Sequence, residues 1–252
     1  MNLPWYYIYS PKYQAFHKLI QCGISDFPLY SVKPQFYEQR FFEKPAHATD
    51  HFFSGNSLKF RCIVDQMKSS LAPNSYFVLS DADLLVLDPV KLHSTMLRYT
   101  SDYDIVGMVD NLKDTSVINI GLLLCKNTPM LQDFFTNLAS QIETTGKQDQ
   151  YLFNILIRTS GLKYTTFPLT HAIQSNMIQD GLYSPNVYVI QMLCSNKDYE
   201  SNVFEKLMTA CGFYDITPVL DCVPYVVKEA LVLFCRDHLP SNPVSRVSIE
   251  QK

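Results

Sequence analysis

Glycine is scarce in this chain, at 8 residues in 252, about 3% where a globular protein carries about 7%. That excludes a glycine-rich repeat protein. Charge of one sign is also lacking: 21 Lys+Arg against 24 Asp+Glu leave a net −3. Such a chain has no general electrostatic pull on nucleic acid or anionic lipid. No apolar run approaches the roughly 18 residues of a transmembrane helix. The start, Met1-Asn-Leu-Pro4, has no basic stretch and meets proline at once, unlike a signal peptide. Paired cysteine motifs are missing too. Cys22, Cys62, Cys125, Cys194, Cys211, Cys222 and Cys235 form no C-x-x-C, and their number is odd. Several lie in apolar runs such as Leu122-Leu-Leu-Cys125. They read as buried, reduced thiols, and the chain as soluble and cytoplasmic.

What is present is an ordinary apolar content, 47%, spread along the chain, which excludes disorder for most of it. Aromatics reach 13%, more than a minimal core requires, and suit a surface that stacks on rings or sugars. Short apolar runs alternate with helical periods. Strands are expected at Trp5–Tyr9, Phe27–Val32 (ended by Lys33-Pro34), Tyr76–Leu79, Ile105–Val109, Ile118–Cys125, Lys163–Phe167 and Val187–Leu193. Helices are expected at Tyr13–Cys22 (stopped by Gly23), Ser57–Met67, Val90–Tyr99, Thr128–Ile142, Gln148–Arg158 and Ser201–Cys211. Between Gln35 and Phe53 no period is visible, and His47, Asp50 and His51 fall in an expected loop. This alternation is the pattern of an α/β fold with a Rossmann-like, mostly parallel central sheet flanked by helices. One domain is expected over residues 1–252: a core of about 5–211, a helical addition of about 212–239 and a polar tail at 240–252.

The stretch that carries chemistry is Ser75-Tyr-Phe-Val-Leu-Ser-Asp81-Ala82-Asp83-Leu-Leu-Val-Leu-Asp88-Pro89. A buried strand runs straight into two carboxylates separated by one small residue. In extended chain, residues i and i+2 project to the same side. Asp81 and Asp83 can therefore present their oxygens together at the carboxyl end of a strand, where open α/β sheets bind ligands. Hard oxygen donors at that spacing suit Mg²⁺ or Mn²⁺ shared with a diphosphate.

The stretch resembles the D-x-D motif of metal-dependent glycosyltransferases of the GT-A fold, and other segments match in the same order. Ile118-Asn119-Ile-Gly121 resembles the family's N-x-G strand, followed by Thr128-Pro129 and its helix. Asp149-Gln150-Tyr-Leu-Phe-Asn154 resembles its D-Q-x-x-x-N helix. Tyr9-Ser-Pro-Lys-Tyr13 and His51-Phe-Phe-Ser-Gly-Asn-Ser-Leu-Lys59 are similar to a group found in bacteria and large DNA viruses. The resemblance spans roughly residues 5–195. It implies that Tyr9 and Ser10 contact the nucleoside and that Lys59 approaches the donor. It also implies that Asp83 binds the metal, with Asp81 on metal or ribose. Asp110, Asn119, Asp149 and Gln150 would line the sugar, the last two as catalytic residues. Where relatives complete the metal site with a histidine, this chain has Gln191, and His171 is the candidate replacement.

The activity so implied is transfer of a sugar from a nucleotide-diphosphate sugar, a UDP-sugar first, to a glycan or glycoconjugate hydroxyl. Mn²⁺ or Mg²⁺ would offset charge on the leaving diphosphate. The D-Q helix resembles those of retaining families. Two alternatives stay open: an inactive homologue that binds nucleotide sugars or glycans, and a nucleotidyltransferase, which also uses paired aspartates and metal.

Overall fold

The computed structural model of the chain describes residues 1–24, 27, 30–36, 50–179, 187–193 and 198–238. His47, Cys194 and the tail at 240–252 lie outside the described residues. In chain order the first half contains β1 (Leu3–Tyr9), α1 (Gln14–Ile24), β2 (Tyr30–Phe36), α2 (Asp50–Ser69), β3 (Tyr76–Ser80), β4 (Leu84–Val86), α3 (Pro89–Leu97) and β5 (Ile105–Val109). There follow β6 (Ile118–Lys126), α4 (Pro129–Thr145), α5 (Asp149–Ile157), β7 (Tyr164–Thr166), β8 (Ala172–Gln174), α6 (Ser175–Gln179), β9 (Val189–Gln191), α7 (Tyr199–Cys211) and α8 (Tyr225–His238). Among the described residues no helix is long and apolar enough to cross a membrane.

Among the described residues six strands form the central sheet, in the order β2-β1-β3-β6-β5-β7. Five run in one direction, and β6 is reversed between β3 and β5. A second sheet, β4-β9-β8, has β9 antiparallel to β4 and parallel to β8. The central strands are apolar on both faces because both faces are covered. Phe77, Leu79, Ile105, Leu123 and Cys125 turn towards α2, α4 and α5. Trp5, Tyr7, Val78, Val106 and Leu124 turn the other way, into a core shared with α1, the second sheet, α7 and α8. Each fully buried large side chain contributes roughly 1.5–3 kcal/mol. Trp5 is entirely buried, and its indole N–H donates to Ser80 Oγ at 2.8 Å, so the polar end of that ring is not orphaned.

Local signals set several ends. Thr128 caps α4 by accepting from Leu131 N (3.2 Å), Pro129 takes the first turn, and Gly146 ends the helix at φ 60°. Asp88 caps α3 through Lys91 N at 2.9 Å, so this third aspartate of the carboxylate-rich stretch is structural.

Four expectations need correction. The strand ended at Lys33-Pro34 continues through Pro34 to Phe36; among the described residues β2 is an edge strand, whose outer side needs no amide donor. Gly23 does not stop α1, which runs to Ile24. Its role is clearance, since a Cβ there would lie 3.0 Å from Val86 O of β4. The expected loop at 35–53 gives way at Asp50, where α2 begins; Asp50 and His51 are its first residues. Finally, not every thiol is buried, for Cys22 is exposed while Cys125, Cys211 and Cys235 are enclosed.

Candidate active site

The parallel strands β1, β3 and β5 deliver their carboxyl ends to one edge of the central sheet. Tyr7 pairs with Ser80, which puts Tyr9-Ser10 level with Asp81-Ala82-Asp83; Asp110 follows directly on β5. Ligand sites of open α/β sheets lie outside strand ends of this kind.

Beside them β6 is irregular. Gly107 of β5 pairs with Leu123, but the next residue, Met108, pairs with Asn119, so Ile120, Gly121 and Leu122 bulge away from β5. Side chains take up the backbone groups this leaves. Ile120 N donates to Gln150 Oε1 (3.3 Å), and Lys59 Nζ donates to Ile120 O (3.1 Å). Asn119 Oδ1 accepts from Gly121 N at 2.7 Å. Asn154, one turn on from Gln150, exchanges two hydrogen bonds with Ile118, at 2.8 and 2.7 Å. The N-x-G strand and the D-Q-x-x-x-N helix are thus physically one unit, in which the helix amides hold the bulge. Gly121 is needed for close approach, because a Cβ there would fall inside the Gln191 amide.

Gln150 differs from its expected aim. Its oxygen is held by Ile120 N and its NH₂ donates to Asp110 Oδ1 at 2.7 Å, so both ends of the amide are tied within the protein. Adjacent helical residues point about 100° apart, and Gln150 takes the direction facing β6. Asp110 is also held through its carbonyl by Gln174 Nε2 (2.8 Å).

Asp149 is the first residue of α5, half-buried, and its Oδ1 accepts from Gln150 N at 2.9 Å. Burial pushes its carboxyl up from 3.8 to about 6; Asp81 adds to the rise and Lys59 opposes it. The three side chains therefore share one electrostatic environment.

Asp81 and Asp83 each lie on a lysine. Lys59, 4% exposed, donates to Asp81 Oδ1 at 2.6 Å, and Gln191 Nε2 donates to Asp81 Oδ2 at 3.2 Å. Asp81 keeps 38% of its side chain exposed, so the cluster opens to solvent on that side. Asp83 Oδ2 is bonded by the ammonium of Lys206, from α7. Burial works against that charge, but the Asp83 carboxylate outweighs it and raises the lysine above its ordinary range. Two buried acceptors nearby, Asp83 Oδ1 and Gln191 Oε1, have no donor among the described residues.

The residues present do not fit the expected Mn²⁺ or Mg²⁺ at Asp81 and Asp83. Three of the four carboxylate oxygens already receive an ammonium or amide N–H, and two cations stand where a third would enter. Among the described residues no group of three His, Cys, Asp or Glu comes together that could hold a metal. The expected replacement ligand His171 is elsewhere. It precedes β8, stacked on Tyr188 with centroids 4.9 Å apart, at the end of the second sheet remote from Asp83. The register shows why: Gln191 pairs with Leu84, beside Asp83, whereas Tyr188 meets Leu87.

Tyr9 is half-buried, with one ring face stacked on His17 at 4.0 Å, and His17 is fixed in turn by Tyr7 OH at 2.8 Å. Ser10 is buried at the start of the short 3-10 turn Pro11–Tyr13. The structure thus gathers Lys59, Asp81, Asp83, Asp149 and Gln150, with Asn119 and Asp110 behind them, and separates His171. Lys206 and Gln174 were missed. Lys206 had a signal: it falls inside the apolar helical stripe Val203, Leu207, Ala210, where a lysine needs a buried partner.

No family model matches the sequence, and no curated protein sequence matches it. Solved structures do resemble it. A glycosyltransferase involved in the glycosylation of the major capsid of PBCV-1 has a TM-score of 0.54 at 11% identity, covering 81% of this chain and 99% of that one. The apo-form glycosyltransferase GlyE of Streptococcus pneumoniae TIGR4 has a TM-score of 0.52 at 11% identity, covering 88% of this chain and 62% of its own. The bifunctional glycosyltransferase WbbM, in its apo structure, has 0.50 at 10% identity, with 88% and 52% covered. The chain spans nearly all of the first and less than two thirds of the other two. At these identities the likeness establishes the fold, which is the GT-A fold of these glycosyltransferases.

Proposed function

We propose that the protein is a glycosyltransferase that moves a sugar from a nucleotide-diphosphate sugar, with UDP as the carrier, to a hydroxyl of a glycan or glycoconjugate. The observation that carries the reading is a pair of buried acceptors, Asp83 Oδ1 and Gln191 Oε1, that lack a donor among the described residues and lie at the strand ends of a GT-A fold. An unpaired buried acceptor costs about 1–3 kcal/mol. Sugar and ribose hydroxyls are the donors that would relieve it. Tyr9 and Ser10 would contact the nucleoside. Asp149 would accept hydrogen bonds from sugar hydroxyls and face the positive charge of an oxocarbenium-like transition state. Gln150, Asn154 and Asn119 would hold the β6 bulge and so position the sugar wall. In the reaction, the bond from the anomeric carbon to the diphosphate oxygen breaks and its electron pair leaves on the diphosphate. The acceptor oxygen bonds to that carbon, and its proton passes to the departing phosphate oxygen. The reading includes retention at the anomeric carbon, from the likeness of Asp149-Gln150 to retaining enzymes. It takes the chain as one domain, supported by the core that α7 and α8 share with the central sheet.

Calorimetry with UDP, GDP and ADP, followed by hydrolysis assays on a panel of nucleotide sugars, tests this. UDP should bind most tightly, Tyr9→Ala should weaken it, and one UDP-sugar should be turned over. Equal affinities for the three nucleotides would refute the UDP assignment. Absence of binding and turnover would favour the inactive-homologue alternative.

A further inference from the structure

Lys206 sits 123 residues from Asp83 in sequence, yet the two form a buried ion pair, at 7% and 9% exposure. Nothing about α7 as a helix calls for a lysine there. Its neighbours on the same face, Val203, Leu207 and Ala210, are buried and apolar, and Leu or Met would extend that stripe. Burying an ammonium and a carboxylate commonly costs more than their attraction returns, so an apolar pair of similar volume would serve stability at least as well. Charge balance suggests what the pair does instead. Asp81 and Asp83 carry two negative charges, and Lys59 and Lys206 supply two positive ones. Two carboxylates and one divalent cation reach the same balance.

We propose that the Lys206 ammonium, held on Asp83, takes the part of a divalent cation in the donor site, so that nucleotide-diphosphate binding needs no metal. The inference rests on the nucleotide-sugar reading above. An ammonium has three N–H donors, and the one given to Asp83 leaves two for phosphate oxygens. Two aromatic rings flank it: Nζ lies 5.8 Å from the Phe16 ring centroid and 5.9 Å from that of Tyr13. Both rings belong to the segment that follows Ser10, so the ammonium lies beside the segment that carries the proposed nucleoside contacts. As the glycosyl bond breaks, the charge gathering on the diphosphate meets a preplaced cation rather than solvent.

The test titrates the full chain calorimetrically with UDP, GDP and ADP, once in EDTA and once in Mn²⁺. The tightest of the three should bind in EDTA with a Kd within about threefold of its value in Mn²⁺. Lys206→Met should lose at least about tenfold in affinity for that diphosphate in EDTA, keep its affinity for the parent nucleoside, and regain diphosphate binding with Mn²⁺. Lys206→Arg, which keeps the charge, should retain metal-free binding and covers the case in which the methionine variant does not fold. Wild-type binding that vanishes in EDTA and returns with Mn²⁺ would overturn the inference and leave the glycosyltransferase reading standing. Failure of all three nucleotides to bind in either buffer would overturn both.

Discussion

Replacing Asp149 with asparagine separates a sugar-binding carboxylate from a helix-end charge. Burial raises this carboxyl from 3.8 to about 6, with Asp81 adding and Lys59 opposing. Such a displacement corresponds to about 3 kcal/mol once the group is ionised in both folded and unfolded chains. The sign is the reverse of an ion-paired aspartate. Between pH 3.8 and about 6 the folded protein holds the extra proton, so this group's contribution falls as pH rises through that window and then levels off. Asp149→Asn preserves size and an acceptor for Gln150 N while removing the charge. The variant should be more stable than wild type at pH 8 by up to about 3 kcal/mol, and by about half that near pH 5. Urea denaturation at the two pH values measures both. Turnover should move oppositely. Losing a charge-assisted hydrogen bond of about 1.5–3 kcal/mol lowers kcat roughly tenfold to a hundredfold, with nucleotide affinity unchanged. A carboxylate that merely complements the helix dipole contributes about 0.3–1 kcal/mol of stability. A variant that is less stable at pH 8 with normal kcat would therefore refute the reasoning.

Wild-type turnover should also decline as pH falls below about 6, and Asp149→Asn should lack that acid limb in a pH–rate profile. Asp83→Asn should destabilise by about 3–5 kcal/mol in chemical denaturation, because it leaves the buried Lys206 ammonium without its counter-charge. Gly121→Ala should displace the Gln191 amide and cost about 1–3 kcal/mol in the same assay, together with its bond to Asp81. Asn127→Ala should cost about 1–3 kcal/mol and leave nucleotide affinity alone. Its Nδ2 donates to Met67 O, Leu71 O and Ala72 O, at 3.0, 3.0 and 3.2 Å, closing the end of α2 remote from the strand tips.

Much of the fold was legible. Ile105–Val109 was read at its true bounds, and most other central strands and helices within a few residues, because their apolar periods are strong. In the second sheet β9 falls within the strand expected at Val187–Leu193, whereas β4 and β8, of three residues each, are too short for any period to accumulate. Pro34 misled because its tolerance depends on whether β2 has a neighbour on its outer side, which is a property of strand order. The D-x-D and N-x-G stretches supply residues that the structure gathers at the strand ends, whereas His171 lies apart from them, on Tyr188. Which of several late residues faces Asp83 depends on the register of β9 against β4, and that register selects Gln191.

The sequence by itself determined the α/β layering, the carboxylates at a strand end and the amides that follow them, since i+2 and 3.6-residue spacings act within a few residues of chain. Only the tertiary structure decided what those carboxylates bind. The pairing of Lys206 with Asp83 and of Lys59 with Asp81 crosses 123 and 22 residues. No local period encodes it, because a buried charge finds its partner through packing, where leaving it alone would cost more than any propensity of the helix that carries it.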